Sequence, residues 1–258
     1  MKFLKYLVSL KMALFFVHCS VLVIFFGAFI SKTLRYERNY RIFPGGAIIL
    51  PHAGGKVVLN DFAIDYYPGT FQPKEYRSRV CLPETGGPIK EYDIRVNHPL
   101  RYKGYSLYQA SFEITAEVEI KLIHAQRVIW EGAWQPGDCL GIPGNSDLRV
   151  KFTRFLPDVY EDEKGIRQVR MDAVRNPAME LHIYNRGRLV QQQLVFCDGR
   201  KNKRKAGEEV LFEWQIKNFT TRSASILQVV KDPGVAIIWT GFIMLFLGLG
   251  MLLFKRQL

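Results

Sequence analysis

An all-β, antiparallel domain of sandwich or barrel-like type, flanked by one transmembrane α-helix at each end, is the architecture this sequence predicts. Three observations carry it. Two long apolar runs without formal charge lie near the chain ends. The stretch between them alternates apolar and polar residues with period two and is broken often by Gly, Pro and Asn. No long amphipathic helical pattern interrupts that stretch, and no internal repeat or low-complexity segment stands out.

The apolar runs come first. Met12 to Ile30 gives nineteen residues without a formal charge, and Val235 to Phe254 gives twenty. At about 1.5 Å rise per residue, each is roughly 28–30 Å long, which matches a bilayer core. The first run also has a basic start in Lys2 and Lys5, as a signal peptide does. It is longer than an ordinary signal core, and Phe29 to Lys32 is too bulky and charged for a cleavage site, so a signal anchor fits better. The implied order is a cytoplasmic N-terminus over 1–11, a span over 12–30, an extracytoplasmic β domain over 31–234, a second span over 235–254 and a cytoplasmic tail over 255–258. Loop charge does not choose the side cleanly. Lys2, Lys5 and Lys11 precede the first span, while Lys32, Arg35, Arg38 and Arg41 follow it. Long domains cross membranes largely regardless of charge. The expectation is a plasma (inner) membrane protein whose main domain is periplasmic.

The net charge is +12, and the domain stays basic when the terminal charges are set aside. Basic loops beside an anionic bilayer surface account for this. Nucleic acid is not an expected partner: the densest cluster, Arg200 to Lys205, lacks interleaved aromatics and reads as a solvated loop. The lipid bilayer is.

Within the domain, Ser31 to Arg41 reads as a polar juxtamembrane segment. Gly45 to Leu50 is a short apolar run closed by Pro51-His52-Ala53-Gly54-Gly55. Lys56 to Tyr67 alternates and ends at the Pro68-Gly69 turn. Glu75 to Leu82 is a strand, Gly86-Gly87-Pro88 a break, and Ile89 to Val96 a strand again. Glu113 to Trp130 is the longest strand-like region, turning at His124-Ala125-Gln126. Trp134 to Asn145, rich in Gly and Pro, reads as a loop and Leu148 to Leu156 as a strand. Pro157 to Arg167, with Asp158, Glu161, Asp162 and Glu163, reads as an exposed acidic excursion. Glu180 to Tyr184 and Leu189 to Phe196 flank Asn185-Arg186-Gly187-Arg188, the clearest hairpin signal in the chain. Leu211 to Phe219 and Ile226 to Val230 complete a set of roughly ten to twelve short strands.

Catalytic and metal motifs are absent. There is no G-x-S-x-G, H-E-x-x-H or P-loop pattern. The chain therefore reads as a binding or accessory protein rather than an enzyme by itself. The four cysteines, Cys19, Cys81, Cys139 and Cys197, form no C-x-x-C pair. Small buried hydrophobes are the favoured reading, with at most one disulfide outside the membrane. Of the five histidines, none pairs at metal-ligand spacing. His18 lies inside the first apolar run, where an ionisable group is costly and marks a functional candidate. It is a candidate haem ligand, and equally a hydrogen-bond donor or acceptor to another helix. His98, between Asn97 and Pro99, reads as a turn residue.

One stretch organises the polar part of the chain: Val96-Asn97-His98-Pro99-Leu100-Arg101-Tyr102-Lys103-Gly104-Tyr105-Ser106-Leu107-Tyr108-Gln109-Ala110-Ser111-Phe112. The Asn-His-Pro step bars helix, Lys103-Gly104 is a second break, and an aromatic-rich strand follows. In that strand Tyr105, Leu107 and Ala110 interleave with Ser106, Tyr108 and Gln109. This stretch resembles the signature of ResB-type cytochrome c biogenesis proteins. Three further places are similar to that family: Leu7 to Ala13 leading into the first span, Tyr67-Pro68-Gly69 with Pro73 to Ser78, and Val230-Lys231-Asp232-Pro233-Gly234 before the second. The residues that carry the resemblance most directly are Asn97, His98, Pro99, Arg101, Tyr102, Gly104, Tyr108, Gln109, Asp232, Pro233 and Gly234.

The resemblance implies a place in the system II route of cytochrome c assembly, outside the plasma membrane or in its chloroplast equivalent. The expected partners are a CcsA/ResC-type membrane protein that handles haem, and apocytochrome c. Haem is the expected cofactor, held transiently or through that partner. The face bearing Asn97 to Gln109 is the expected docking surface, and positive charge suits haem propionates or acidic partner surfaces. Longer family members carry further membrane helices before the domain, whereas this sequence shows two spans. A haem-contacting role therefore does not pass to His18 by inheritance. The alternative from another class is a membrane-tethered β-rich scaffold with no haem role.

Overall fold

The computed structural model describes residues 10–51, 55–83, 90–124, 126–163, 167–198 and 213–257. Lys2, Lys5, Leu7-Val8-Ser9, His52, Gly86-Gly87-Pro88, Ala125, the Arg200 to Lys205 cluster and Leu211 lie outside these. The chain forms two units. One comprises Met1–Asn39, Pro99–Tyr108 and Gln228–Leu258, the other Tyr40–His98 and Gln109–Leu227.

The first unit contains helices α1, Leu10–Leu34, and α2, Gly234–Gln257. Both are long and apolar enough to cross a membrane. What joins them is small side chains rather than large ones. The buried residues of α1 are Ala13, Ser20 and Gly27, spaced by seven. On α2 the residues met by α1 are Gly234, Gly241 and Gly248, also spaced by seven. A Cβ added at Gly27 would stand 2.9 Å from Ile238 N, one at Gly241 3.1 Å from Ser20 O, and one at Gly248 3.1 Å from Val17 N. The helices thus run antiparallel with their backbones nearly touching. In lipid, close packing of this kind supplies the attraction that the hydrophobic effect supplies in water. The repeat of seven keeps the small residues in line when the helices cross with a left-handed twist. Ser20 donates its hydroxyl to Val17 O at 2.7 Å, so the seam leaves no hydroxyl unpaired there. Phe15, Leu22, Phe25, Phe29, Trp239 and Phe246 are exposed on the outer faces, as lipid-facing residues are.

Fifteen strands are described, in chain order: β1 Tyr36–Ile42, β2 Ala47–Ile49, β3 Lys56–Tyr66, β4 Pro73–Leu82, β5 Lys90–Arg95, β6 Leu100–Tyr102, β7 Tyr105–His124, β8 Arg127–Trp134, β9 Cys139–Ile142, β10 Asn145–Leu156, β11 Asp158–Glu161, β12 Arg167–Arg170, β13 Ala178–Asn185, β14 Arg188–Phe196 and β15 Glu213–Lys231. They form a five-stranded sheet of order β1-β15-β7-β6 with β8 on β7. Two four-stranded sheets, β14-β13-β10-β9 and β2-β3-β4-β5, and the hairpin β11-β12 complete the set. The fold is therefore mostly antiparallel β-sheet between two long apolar helices, as the alternation predicts, and no long amphipathic helix occurs among the described residues.

The core of the second unit follows from the same alternation. Ala116, Val118, Ile120 and Leu122 of β7 point inward, with Glu117 and Glu119 between them exposed. They pack with Trp134, with Val150 and Phe152 of β10, and with Met179, Leu181 and Ile183 of β13. Trp214 stacks on Trp134 with ring centres 5.7 Å apart. Each such large side chain, fully buried, contributes about 1.5–3 kcal/mol. The hairpin of β13 and β14 turns on Arg186 and Gly187, at φ of 50° and 78°. Two left-handed residues give the twist a two-residue hairpin needs.

Several expectations change. The charged segment after the first span contains β1. The Gly- and Pro-rich region after Trp134 holds the short strand β9, paired with β10. The last two short strands are one strand of 19 residues, β15. Asp158 is fully buried rather than part of an exposed excursion. Arg170 and Asn176 each donate to it at 3.0 Å, and Arg175 lies 3.6 Å away. Two cationic side chains and an amide replace the water that the carboxylate gives up.

Candidate juxtamembrane site

In the first unit, the hairpin of β6 and β7 supplies the polar face. Its register pairs Leu100 with Leu107, Arg101 with Ser106 and Tyr102 with Tyr105. The turn residues Lys103 and Gly104 have φ of 50° and 78°. Period-two alternation then sorts the side chains. Leu100, Tyr105 and Leu107 are buried, while Arg101, Lys103 and Tyr108 are exposed. Tyr105 is fixed by Tyr36, whose ring meets it edge-on at 6.0 Å, and by Lys231, whose Nζ lies 5.1 Å over the ring. Arg101 has no acidic partner among the described residues. Arg35 is paired with Glu37 at 2.5 Å, and Glu37 also accepts from Gln228 Nε2 at 2.6 Å.

Asp232-Pro233-Gly234 does three separate jobs at the head of α2. One carboxylate oxygen of Asp232 accepts from Gly234 N at 3.0 Å, capping the helix. The other accepts from Ser31 Oγ of α1 at 2.6 Å, tying the two helices together. Pro233 immediately precedes the first helical residue, where its missing N–H costs no bond within the helix. Of the three α2 glycines that face α1, Gly234 leaves the least room for a side chain. An open cavity of about 610 Å³ lies beside this cap. Arg35, Arg101, Lys103, Tyr105, Tyr108 and Asp232 line it, and Val235 and Ala236 of α2 form an apolar wall.

The other sequence-derived candidates lie elsewhere. His18 is on the outer face of α1, exposed, with Nδ1 2.7 Å from Leu14 O. Because the carbonyl can only accept, Nδ1 donates to it, and in a neutral imidazole the lone pair is then on Nε2. Asn97 and His98, in the second unit, close a four-residue turn. Asn97 has φ of 64°, Arg95 and His98 exchange backbone bonds, and His98 Nδ1 donates to Val96 O at 3.2 Å. His98 is thus a turn residue, as expected. Pro99 is half-buried. Gln109 is 6% exposed and Ala110 is exposed, the reverse of the sequence reading. The Ser78 hydroxyl donates to Gln109 Oε1 at 2.6 Å. Gln109 Nε2 donates to Ser225 Oγ at 3.1 Å and to Ser111 O at 2.9 Å, and the two hydroxyl oxygens are 2.7 Å apart. A satisfied amide can be buried at little cost.

The cysteines are all thiols. Cys197 is buried, whereas Cys139 is exposed, so only part of the expectation of buried hydrophobes holds. Burial, with the charge of Asp198 adding to it, pushes the Cys197 thiol up to about 12. No group of three or more His, Cys, Asp or Glu side chains able to hold a metal occurs among the described residues. The small-residue seam of the helices was not singled out in the sequence. Its signal was there, in the spacing of 13, 20, 27 and of 234, 241, 248.

A family model described as the ResB-like family matches residues 9–193 and 151–257. The chain is 26% identical over 264 residues to a protein named cytochrome c biogenesis protein CcsB from Synechococcus sp. (strain JA-3-3Ab), covering 93% of this chain and 49% of the relative. It is 27% identical to the protein of that name from Synechococcus sp. (strain CC9311), covering 94% and 52%. It is 24% identical to the one from Prochlorococcus marinus (strain MIT 9303), with the same coverage. The chain spans about half the length of these curated relatives.

Proposed function

We propose, because the chain belongs to the ResB-like family, that it is a membrane-anchored assembly factor for c-type cytochromes. The observation that supports this most is similarity over more than nine-tenths of the chain to proteins named for cytochrome c biogenesis. The architecture suits the role: the β-rich region is joined in the chain to a helix able to cross a membrane at each end. In this reading the β-rich region is extracytoplasmic. A CcsA/ResC-type membrane protein is the partner, and apocytochrome c receives the haem.

Haem is cargo here. His18 fits the requirements of a ligand from this chain. Ligating histidines ordinarily donate their second ring nitrogen to a carbonyl, which fixes the tautomer, and His18 Nδ1 is so placed against Leu14 O. A single imidazole on an outer helix face leaves the rest of the site to another chain. Asn97 and His98, both exposed on a hydrogen-bonded turn, are in this reading the second unit's contribution to partner docking.

The test is a visible absorption spectrum of the chain purified in detergent, produced with and without a CcsA-type partner and repeated with His18→Ala. The expected result is a Soret band that needs both the partner and His18. A band that needs the partner but ignores His18 places the haem wholly on the partner and removes His18 from the reading. No band and no copurifying partner sinks the haem-handling role and favours a tethered scaffold.

A further inference from the structure

The cavity beside the α2 cap combines cations with an apolar wall and has no His, Cys or Met side chain to ligate iron. We propose that it seats the headgroup of an anionic phospholipid, with the phosphate on Arg101 and Lys103 and the glycerol end against Val235 and Ala236. Three observations carry this. The first is depth: the stretch of α2 able to cross a membrane begins at Gly234, so a bilayer around that stretch would put its headgroups at the level of Val235 and Ala236, which line the cavity. The second is charge. Arg35, Arg101 and Lys103 line the cavity, and its one carboxylate, Asp232, is already engaged by Ser31 and Gly234 N. Arg101 meets no acid among the described residues, and its guanidinium fork suits phosphate oxygens. The third is polarity. Tyr102, Tyr105 and Tyr108 also line the cavity, and tyrosine favours the level of the headgroups, with the ring in apolar surroundings and the hydroxyl wet.

The alternatives fit less well. A free phosphate has no use for an apolar wall. A haem edge would find propionate partners, but no His, Cys or Met is among the lining residues to meet its iron. A headgroup seated here also gives a use to Arg35, the cation after α1 that lines the cavity, while the others attract an anionic surface generally.

The experiment uses the full chain in a neutral detergent. Dihexanoyl phosphatidylglycerol, dihexanoyl phosphatidylcholine and inorganic phosphate are titrated separately, and bound molecules are counted by native mass spectrometry. Phosphatidylglycerol should bind about tenfold more tightly than phosphatidylcholine, since two cations face the extra charge. Arg101→Gln with Lys103→Asn should lower its affinity roughly 25-fold, about fivefold for each cation lost. Asn suits the positive φ at 103. Lys32→Gln, which removes an exposed charge outside the cavity, should change binding less than about twofold. Equal binding of the two lipids overturns the proposal, and so does an indifferent double variant. A loss with Lys32→Gln as large as with the double variant would reveal diffuse attraction instead. Inorganic phosphate binding as well as the lipid would make this a free-anion site. If the double variant does not elute as a monodisperse folded species, Arg101→Gln alone decides, with a fivefold loss expected. No haem or partner enters this test, so its failure is distinct from failure of the biogenesis reading.

Discussion

Adding one methyl group at successive glycines of α2 should weaken helix pairing in an order set by distance. At Gly234 an alanine Cβ would fall on Gly27 O and 2.5 Å from Ser31 N. Both are backbone atoms and cannot rotate aside. Restoring an ordinary van der Waals separation requires the helices to part by about 1 Å, and overpacking of this kind costs about 1–3 kcal/mol. At Gly241 the nearest atom is Ile24 Cγ1 at 2.6 Å, which can rotate, with backbone at 3.1 Å. There the cost should be about 1 kcal/mol. At Gly248 the contacts are 2.9 and 3.1 Å, and the gain in helix propensity, up to about 1 kcal/mol, should nearly offset them. Gly250 meets nothing within 4 Å, so alanine there should be neutral or slightly stabilising. The assay is unfolding of the detergent-solubilised chain by added sodium dodecyl sulfate, comparing midpoints for Gly234→Ala, Gly241→Ala, Gly248→Ala and Gly250→Ala. A flat series would refute the reasoning, and so would a Gly250→Ala variant as damaged as Gly234→Ala.

Two further predictions concern the β-rich region. Asp158→Asn should destabilise it by about 3 kcal/mol, the low end for breaking a buried ion pair, because Arg170 stays partly solvated. Urea unfolding measures this, and a loss below about 1 kcal/mol would mean the pair is dispensable. Cys197 should resist iodoacetamide at pH 8 while exposed Cys139 reacts, with denaturant abolishing the difference. Its thiol ionises near 12 when folded, against an ordinary value of 9.0. Its contribution to stability is therefore fully present below 9.0 and is lost as pH rises from there towards 12.

Legibility in the sequence followed the strength of the local signal. The two long apolar helices were plain because a charge-free run of that length has few other uses. The β13–β14 hairpin was plain because Arg186-Gly187 is a turn that only left-handed residues make well. β1 was missed because Tyr-Glu-Arg-Asn-Tyr-Arg is polar enough to look like a linker, and pairing with β15 makes it a strand. Asp158 was misplaced because a carboxylate among acids reads as solvated, and the arginines that bury it are 12 and 17 residues away in sequence. Hydropathy points Ala110 inward and Gln109 outward, but period two from Tyr105 and Leu107 puts Gln109 inside, as the structure does. The cavity was half legible. Arg101, Tyr102, Gly104 and Tyr108 stood out in one stretch, but the meeting of that stretch with Arg35 and the head of α2 is a tertiary fact.

The buried trio of Ser78, Gln109 and Ser225 acts as an error check on strand alignment. A slip of β7 by one residue turns its apolar side chains to the wrong face and is rejected by the hydrophobic effect alone. A slip by two keeps every face correct, and apolar packing hardly objects. It would, however, carry the Gln109 amide about 7 Å along the strand, away from two serines on β4 and β15 that are themselves buried. Each stranded polar group then costs about 1–3 kcal/mol. On a strand of 20 residues, where many near-equivalent alignments compete, one misaligned amide is enough to make the correct one distinct.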